Sequence, residues 1–357
     1  MPQTPLHATH EKLGASFTDF GGWEMPLKYG SELEEHRAVR TDVGIFDLSH
    51  MGEITIQGPD AAAFLDYALI SNFSALKDGK AKYSMIVAED GGIIDDLITY
   101  RFSENHFMVV PNAANTNAVW AAFEARQGDF EVQLSNNSEA FALVAVQGPR
   151  AIEVLEPLLS DDASALSYYS GAWMTLDGVE TFVARTGYTG EDGFELFCTR
   201  EDAQKVWDAV IGTGTPCGLA ARDSLRLEAS MPLYGHELTA EITPVEAGMG
   251  RAFAKKEADF VGKDALTGRE PSVVIAGLTS EQRRAAREGA EVFLAGSDDK
   301  IGVVTSGQPS PTLGHPVALA HLDPAHAEEG TDVDIDIRGR RYPFTIAPTP
   351  FYSRKDA

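Results

Sequence analysis

Residues 185–196 read RTGYTGEDGFEL, with glycines at 187, 190 and 193 set among two threonines, two aromatic rings and three acids. Glycines at this spacing let a backbone turn sharply and lie close to a ligand. Apolar runs at 181–184 and 194–197 flank the stretch, so it reads as two antiparallel strands of a hairpin. Strand alternation puts Glu195 on the same face as Phe197, and an acid facing a core needs a partner. Its carboxylate could accept the paired N–H donors on one edge of a flat heterocycle, such as a pterin or a guanine. Taken alone, an ordinary Gly-rich hairpin loop has the same composition.

The antiparallel pattern extends outward. Residues 82–88, 93–102 and 106–111 alternate, and the turns Glu89-Asp90-Gly91-Gly92 and Ser103-Glu104-Asn105 separate them. Further strands are expected at 44–51, 130–134 and 141–146, with a hairpin at 174–184 around Asp177-Gly178. Helices are expected after Ser31, which stands in capping-box spacing with Glu34, after Pro59, and at 117–126, 150–159, 203–211 and 221–228. Hairpins with helices between them, instead of a βαβ series, indicate the α+β class. The run 212–218 is Gly-rich but lacks dinucleotide-binding spacing and follows a helix. After a polar break at 266–271, period-2 segments recur at 273–278, 290–294, 301–305, 316–322, 333–337 and 342–346, which argues for a small β-barrel. The expected division is therefore 1–265 and 272–357. The first region would hold two interleaved antiparallel-sheet/helix subdomains, about 1–50 with 140–265, and 51–139.

At 357 residues the chain exceeds what one core serves. Acids outnumber bases 54 to 29, a formal charge of −25, which repels phosphate backbones and excludes nucleic acid as an expected partner. No run of about 18 apolar residues suggests a membrane span. The first residues lack both a cationic start and an apolar core, so a cytoplasmic protein is expected, or the mature form of a mitochondrial-matrix one. Cys198 and Cys217 have no paired spacing, so a reducing compartment and no metal site are expected.

Several segments share one resemblance. RTGYTGEDGFEL, the Asp47-Leu48-Ser49-His50-Met51 run, GGIIDDL at 91–97, AARDSLRLE at 220–228, MPLYG at 231–235 and SPTLG at 310–314 resemble the aminomethyltransferase family. These are the T-proteins of the glycine cleavage system, among the tetrahydrofolate-dependent C1 transferases. The likeness runs from about residue 4 to residue 352. It implies tetrahydrofolate as the acceptor, no metal, and the lipoyl carrier protein (H-protein) as partner. It also implies a folate cavity lined by Met51, Tyr83, Asp95, Tyr100, Asn112, Tyr188, Glu195 and Arg222. Phe351 stands where relatives carry a ligand-contacting tyrosine, and Tyr352 follows it. Alternation puts Asp95 with Ile93 and Leu97 and turns Asp96 to the other face; the resemblance assigns the essential carboxylate to the first, Asp95. His50 by itself reads as a hydrogen-bonded structural histidine. Arg222, Arg226, Arg251, Lys255 and Lys256 form the densest basic grouping here, and part of it is expected to face the carrier. Two alternatives share the scaffold: a tetrahydrofolate-dependent demethylase, and a non-catalytic folate-binding maturation factor. Maturation factors carry KGCYxGQE where this chain has TGYTGEDGFEL.

Overall fold

The computed structural model describes residues 1–355, so the last two residues of the expected 272–357 region lie outside it. The chain packs as two compact units. The first comprises 1–86, 94–222 and 256–261; the second comprises 87–93, 223–255 and 262–357. Both 87–93 and 223–255 thus group with the C-terminal strands, although both fall inside the expected 1–265 region.

The first unit holds two large sheets. One has six strands in the order Gly171–Leu176, Val179–Ala184, Gly193–Thr199, Phe141–Gln147, Gly44–Asp47 and Thr215–Pro216. All neighbours are antiparallel except the last pair. One face packs against the helix Ala203–Ile211, whose Val206, Trp207 and Val210 meet Val144, Val146 and Leu196. Each such fully buried side chain contributes about 1.5–3 kcal/mol. The hairpin expected around 185–196 is present, its strands paired through Phe182–Phe197 and Ala184–Glu195. Across the other neighbour Glu195 faces Ala145. Two alanines therefore flank the acid, and their small side chains leave space in front of it.

The second sheet runs Ala81–Val87, Ile93–Ser103, His106–Pro111, Ile54–Gln57 and Gln133–Asn136. Its outer face carries Ile54, Leu97 and Val109 against Phe64, Leu65, Val119 and Phe123 of the helices Ala61–Ala68 and Thr116–Arg126. Its inner face meets the six-stranded sheet, since the Tyr100 ring packs edge-on to Phe182 and Phe197 at 5.4 and 5.6 Å. Ser31 caps its helix as expected, accepting from the Glu34 N–H at 3.3 Å.

Lys256 departs from its expected role. It is buried, and its ammonium donates to the carbonyls of Asp66, Leu69 (2.8 Å) and Ser71 (2.8 Å), over the Phe260 ring. A charge held by three carbonyls inside the fold cannot receive a partner protein. Replacing it by methionine strands those acceptors, so Lys256→Met should lower the unfolding free energy by about 1–3 kcal/mol, read by denaturant titration. A change below about 0.5 kcal/mol would show that the tie is dispensable.

The second unit contains a closed six-stranded barrel in the order Val274–Thr279, Pro316–Leu322, Lys300–Pro309, Glu291–Leu294, Asp332–Asp336 and Arg341–Ala347. All pairs are antiparallel, as the period-2 segments predict. Closure leaves no free edge. Arg226 is buried in this unit, paired with Glu237 at 2.8 Å and donating to Ser306 Oγ at 2.7 Å. The tip 87–93 is fastened here too: the Ile93 N–H donates to the Ile242 carbonyl, and Tyr234 Oη donates to the Ile93 carbonyl. A Cβ at Gly92 would stand 2.1 Å from the Ala240 carbonyl oxygen, so only glycine fits. No helix among the described residues is long and apolar enough to cross a membrane.

Candidate active site

Phe46, Leu48, Ala145, Gln147, Gly187, Tyr188, Thr189, Glu195 and Arg222 line a small cavity in the first unit. Its lining combines the apolar Phe46, Leu48 and Ala145 with the Tyr188 ring, the polar Gln147 and Thr189, the Arg222 guanidinium and the Glu195 carboxylate. Tyr100 Oη, at 3.3 Å, and Thr186 Oγ1, at 2.5 Å, both donate to Glu195 Oε2. The described hydrogen bonds thus fall on one carboxylate oxygen and leave Oε1 for a ligand. The Arg222 guanidinium lies 4.9 Å from the Tyr188 ring centroid, which fixes that ring as a wall. A planar heterocycle with an N–H donor on its edge fits this acceptor.

The strand Ile93–Ser103 brings two more carboxylates. Asp95, Leu97 and Thr99 are buried on the outer face, while Asp96, Ile98 and Tyr100 share the inner face that reaches Glu195. Asp95 is fully buried and accepts from the Asn112 backbone N–H at 2.8 Å, from Asn112 Nδ2 at 2.9 Å and from Asn115 Nδ2 at 2.7 Å. Asp96 is half-buried, with Tyr83 Oη donating at 3.0 Å and Asn112 Nδ2 at 2.8 Å. The alternation expected of the two acids is the one observed. Asp95 points to the helix side and Asp96 to the inner face. Asn112 reaches both, so they form one linked pair. Burial, then the neighbouring Asp96 charge, pushes Asp95 up to about 7, and burial pushes Asp96 up to about 6.

The remaining expected residues distribute as follows. Tyr83, Tyr100, Asn112, Tyr188, Glu195 and Arg222 gather around the cavity and the acid pair. Met51 stands in the turn after the cavity-lining Leu48, its N–H donating to the Leu48 carbonyl. Phe351 and Tyr352 belong to the second unit, where Phe351 packs against Leu227, Val317 and Leu319, and the Tyr352 N–H donates to the Glu228 carbonyl at 2.8 Å. His50 is not the hydrogen-bonded histidine expected. It is buried edge-on to Phe20, neither ring nitrogen has a partner among the described residues, and burial with the nearby Arg222 charge holds its pKa down to about 3. Of the basic grouping, Arg222 lines the cavity and Arg226 and Lys256 are buried, while Arg251 and Lys255 are exposed. Sequence reasoning missed Gln147, Phe46, Thr189 and Asn115.

Residues 6–257 match the family model described as the GCVT N-terminal domain, and residues 274–353 match the glycine cleavage T-protein C-terminal barrel domain. The chain is similar to an aminomethyltransferase of Corynebacterium aurimucosum, 60% identical over 364 residues and covering 98% of each chain. It is 51% identical over 366 residues to an aminomethyltransferase of Streptomyces coelicolor, covering 99% of this chain and 98% of that one. The crystal structure of the glycine cleavage system aminomethyltransferase T from Bartonella henselae superposes with a TM-score of 0.93 at 38% identity, covering 99% of this chain and 98% of that chain.

Proposed function

We propose that this chain, which belongs to the glycine cleavage T-protein family of aminomethyltransferases, moves a methylene from the aminomethyl-lipoyl arm of a carrier protein (H-protein) to tetrahydrofolate. The observation that carries the folate assignment is the cavity where Phe46 and Tyr188 meet the buried Glu195 carboxylate, whose Oε1 would accept the amino-pyrimidine edge of the pterin. In the reaction the C–S and C–NH2 bonds break and two bonds form to the folate nitrogens N5 and N10. The two N–H protons displaced go to sulfur and to the departing ammonia. No side chain becomes a nucleophile. What this chain supplies is orientation and charge: Tyr188 and Phe46 stack the ring, Arg222 holds Tyr188, and Asp96 stabilises positive charge at the migrating carbon. Asp96 takes this role in place of Asp95 because it lies on the inner face with Tyr100 and Tyr83. Asp95 holds Asn112, which in turn orients Asp96. The same reading puts the protein in the cytoplasm, a reading supported by two buried cysteines kept as free thiols.

The test is ammonia release from aminomethylated lipoyl carrier. Release is expected with tetrahydrofolate and to fall to background without it; release indifferent to folate would overturn the reading. The pH profile follows from the acid pair. Charge stabilisation needs an ionised carboxylate, so kcat/KM should rise through about pH 6–7 and level off above, a limb belonging to the pair. A profile flat from pH 5 to pH 8 would remove the pair from the mechanism. Stability runs the other way. Both folded pKa values lie above the usual carboxylate value, so the stability these groups add is present below about pH 4 and lost as pH rises through 6–7.

A further inference from the structure

Gln147 ends the strand Phe141–Gln147, is 1% exposed and lines the cavity. Its side-chain amide is spent on the loop in front of it. Nε2 donates to the Thr186 carbonyl at 3.1 Å and to the Phe194 carbonyl at 3.4 Å, while Oε1 accepts from Thr189 Oγ1 at 2.9 Å. With both N–H groups taken, no donor is left for a ligand. The loop is also shaped around this one amide. A Cβ at Gly187 would stand 2.1 Å from Gln147 Oε1, and one at Gly193 would stand 2.4 Å from Nε2. On its other side the loop is tied by Arg40, which donates to the Thr189 carbonyl at 2.7 Å and pairs with Glu191 at 3.0 Å, both side chains nearly buried.

Tyr188 sits between Gly187 and Thr189, and Glu195 follows Phe194, so both ligand-facing groups hang from points that Gln147 grips. We infer that Gln147 is a positioning residue: it sets the distance between the Tyr188 wall and the Glu195 carboxylate, and does not itself contact the heterocycle. Loss of that grip lets the loop take conformations that a ligand must reorder, a cost that falls on binding and not on the chemical step. The inference rests on the pterin assignment of the cavity.

Its test is a double-mutant cycle with tetrahydrofolate affinity by calorimetry and steady-state kinetics as readouts. Gln147→Ala should raise Kd and KM for tetrahydrofolate by about tenfold or more, with kcat within about threefold. Gln147→Glu keeps the size but turns an anion toward two carbonyls, and should be as weak as the alanine variant. Gly187→Ala should lose affinity comparably, because its Cβ collides with the amide. In the double variant the collision partner is gone, so the losses should fall short of additive by about fivefold or more. Strictly additive losses, a wild-type Kd in Gln147→Glu, or a defect confined to kcat would each overturn the inference. Glu195→Ala serves as the control. If that variant binds folate normally, the pterin assignment has failed; if it binds weakly while the Gln147 variants bind normally, only the positioning role has failed.

Discussion

Asp96→Asn is expected to lower turnover by about 10²-fold while tetrahydrofolate affinity stays within about threefold. Asparagine is nearly isosteric, and the Tyr83 hydroxyl, 3.0 Å away, still finds an acceptor. What is lost is the charge, and removing one preorganised electrostatic group from an active site typically costs 10²–10³-fold in kcat. Asp95→Asn should behave differently. Its carboxylate is turned to the helix side and wrapped by three amide N–H groups. An asparagine there sets an N–H group against those donors and loosens Asn112, so a loss below about tenfold, acting through Asp96, is expected. Steady-state kinetics of the two variants at pH 8 decide the matter. Equal defects, or the larger one at Asp95, would return the role to Asp95.

The second large effect belongs to Glu195. Its Oε2 is occupied by Tyr100 and Thr186, which also bond each other at 2.9 Å, so alanine removes the ligand's acceptor and leaves one of the two hydroxyls without an acceptor. Calorimetry of Glu195→Ala should show tetrahydrofolate binding weakened by about 1–3 kcal/mol, roughly 5- to 150-fold, the range for a charged hydrogen-bond partner. An affinity within twofold of wild type would move the pterin out of this cavity.

How much of this could be read in the sequence varies residue by residue. Glu195 was legible because alternation alone places an acid beside Phe197, and such an acid requires a purpose. The barrel was legible for the same reason, since its period-2 segments leave little choice. The acid pair was half legible. Alternation separates Asp95 from Asp96, but one strand cannot say which face looks at the other sheet, and Thr99 and Tyr100, neighbours on opposite faces, are both buried. Gln147 was hidden by a misread cause. Gly190 has φ +81 and turns the chain, but Gly187 and Gly193 carry no positive φ and are glycine because a side chain lies against them. Nothing local in a sequence separates these two reasons. Lys256 and Arg226 were misjudged because Lys and Arg are seldom fully buried, and only the distant carbonyls and Glu237 make their burial affordable.

The division of the chain has a consequence for synthesis. The ribosome delivers every residue of the first unit once position 261 has emerged, so that unit can complete its core before the barrel strands exist. The tip 87–93 has no such freedom. It is made early, yet its partners Tyr234, Ala240 and Ile242 arrive some 140 residues later, and the barrel they group with arrives last. For that interval the nascent chain carries a finished hairpin whose turn is unclaimed. A segment cloned from 272 onward would meet the same absence permanently, lacking both early pieces of its own unit.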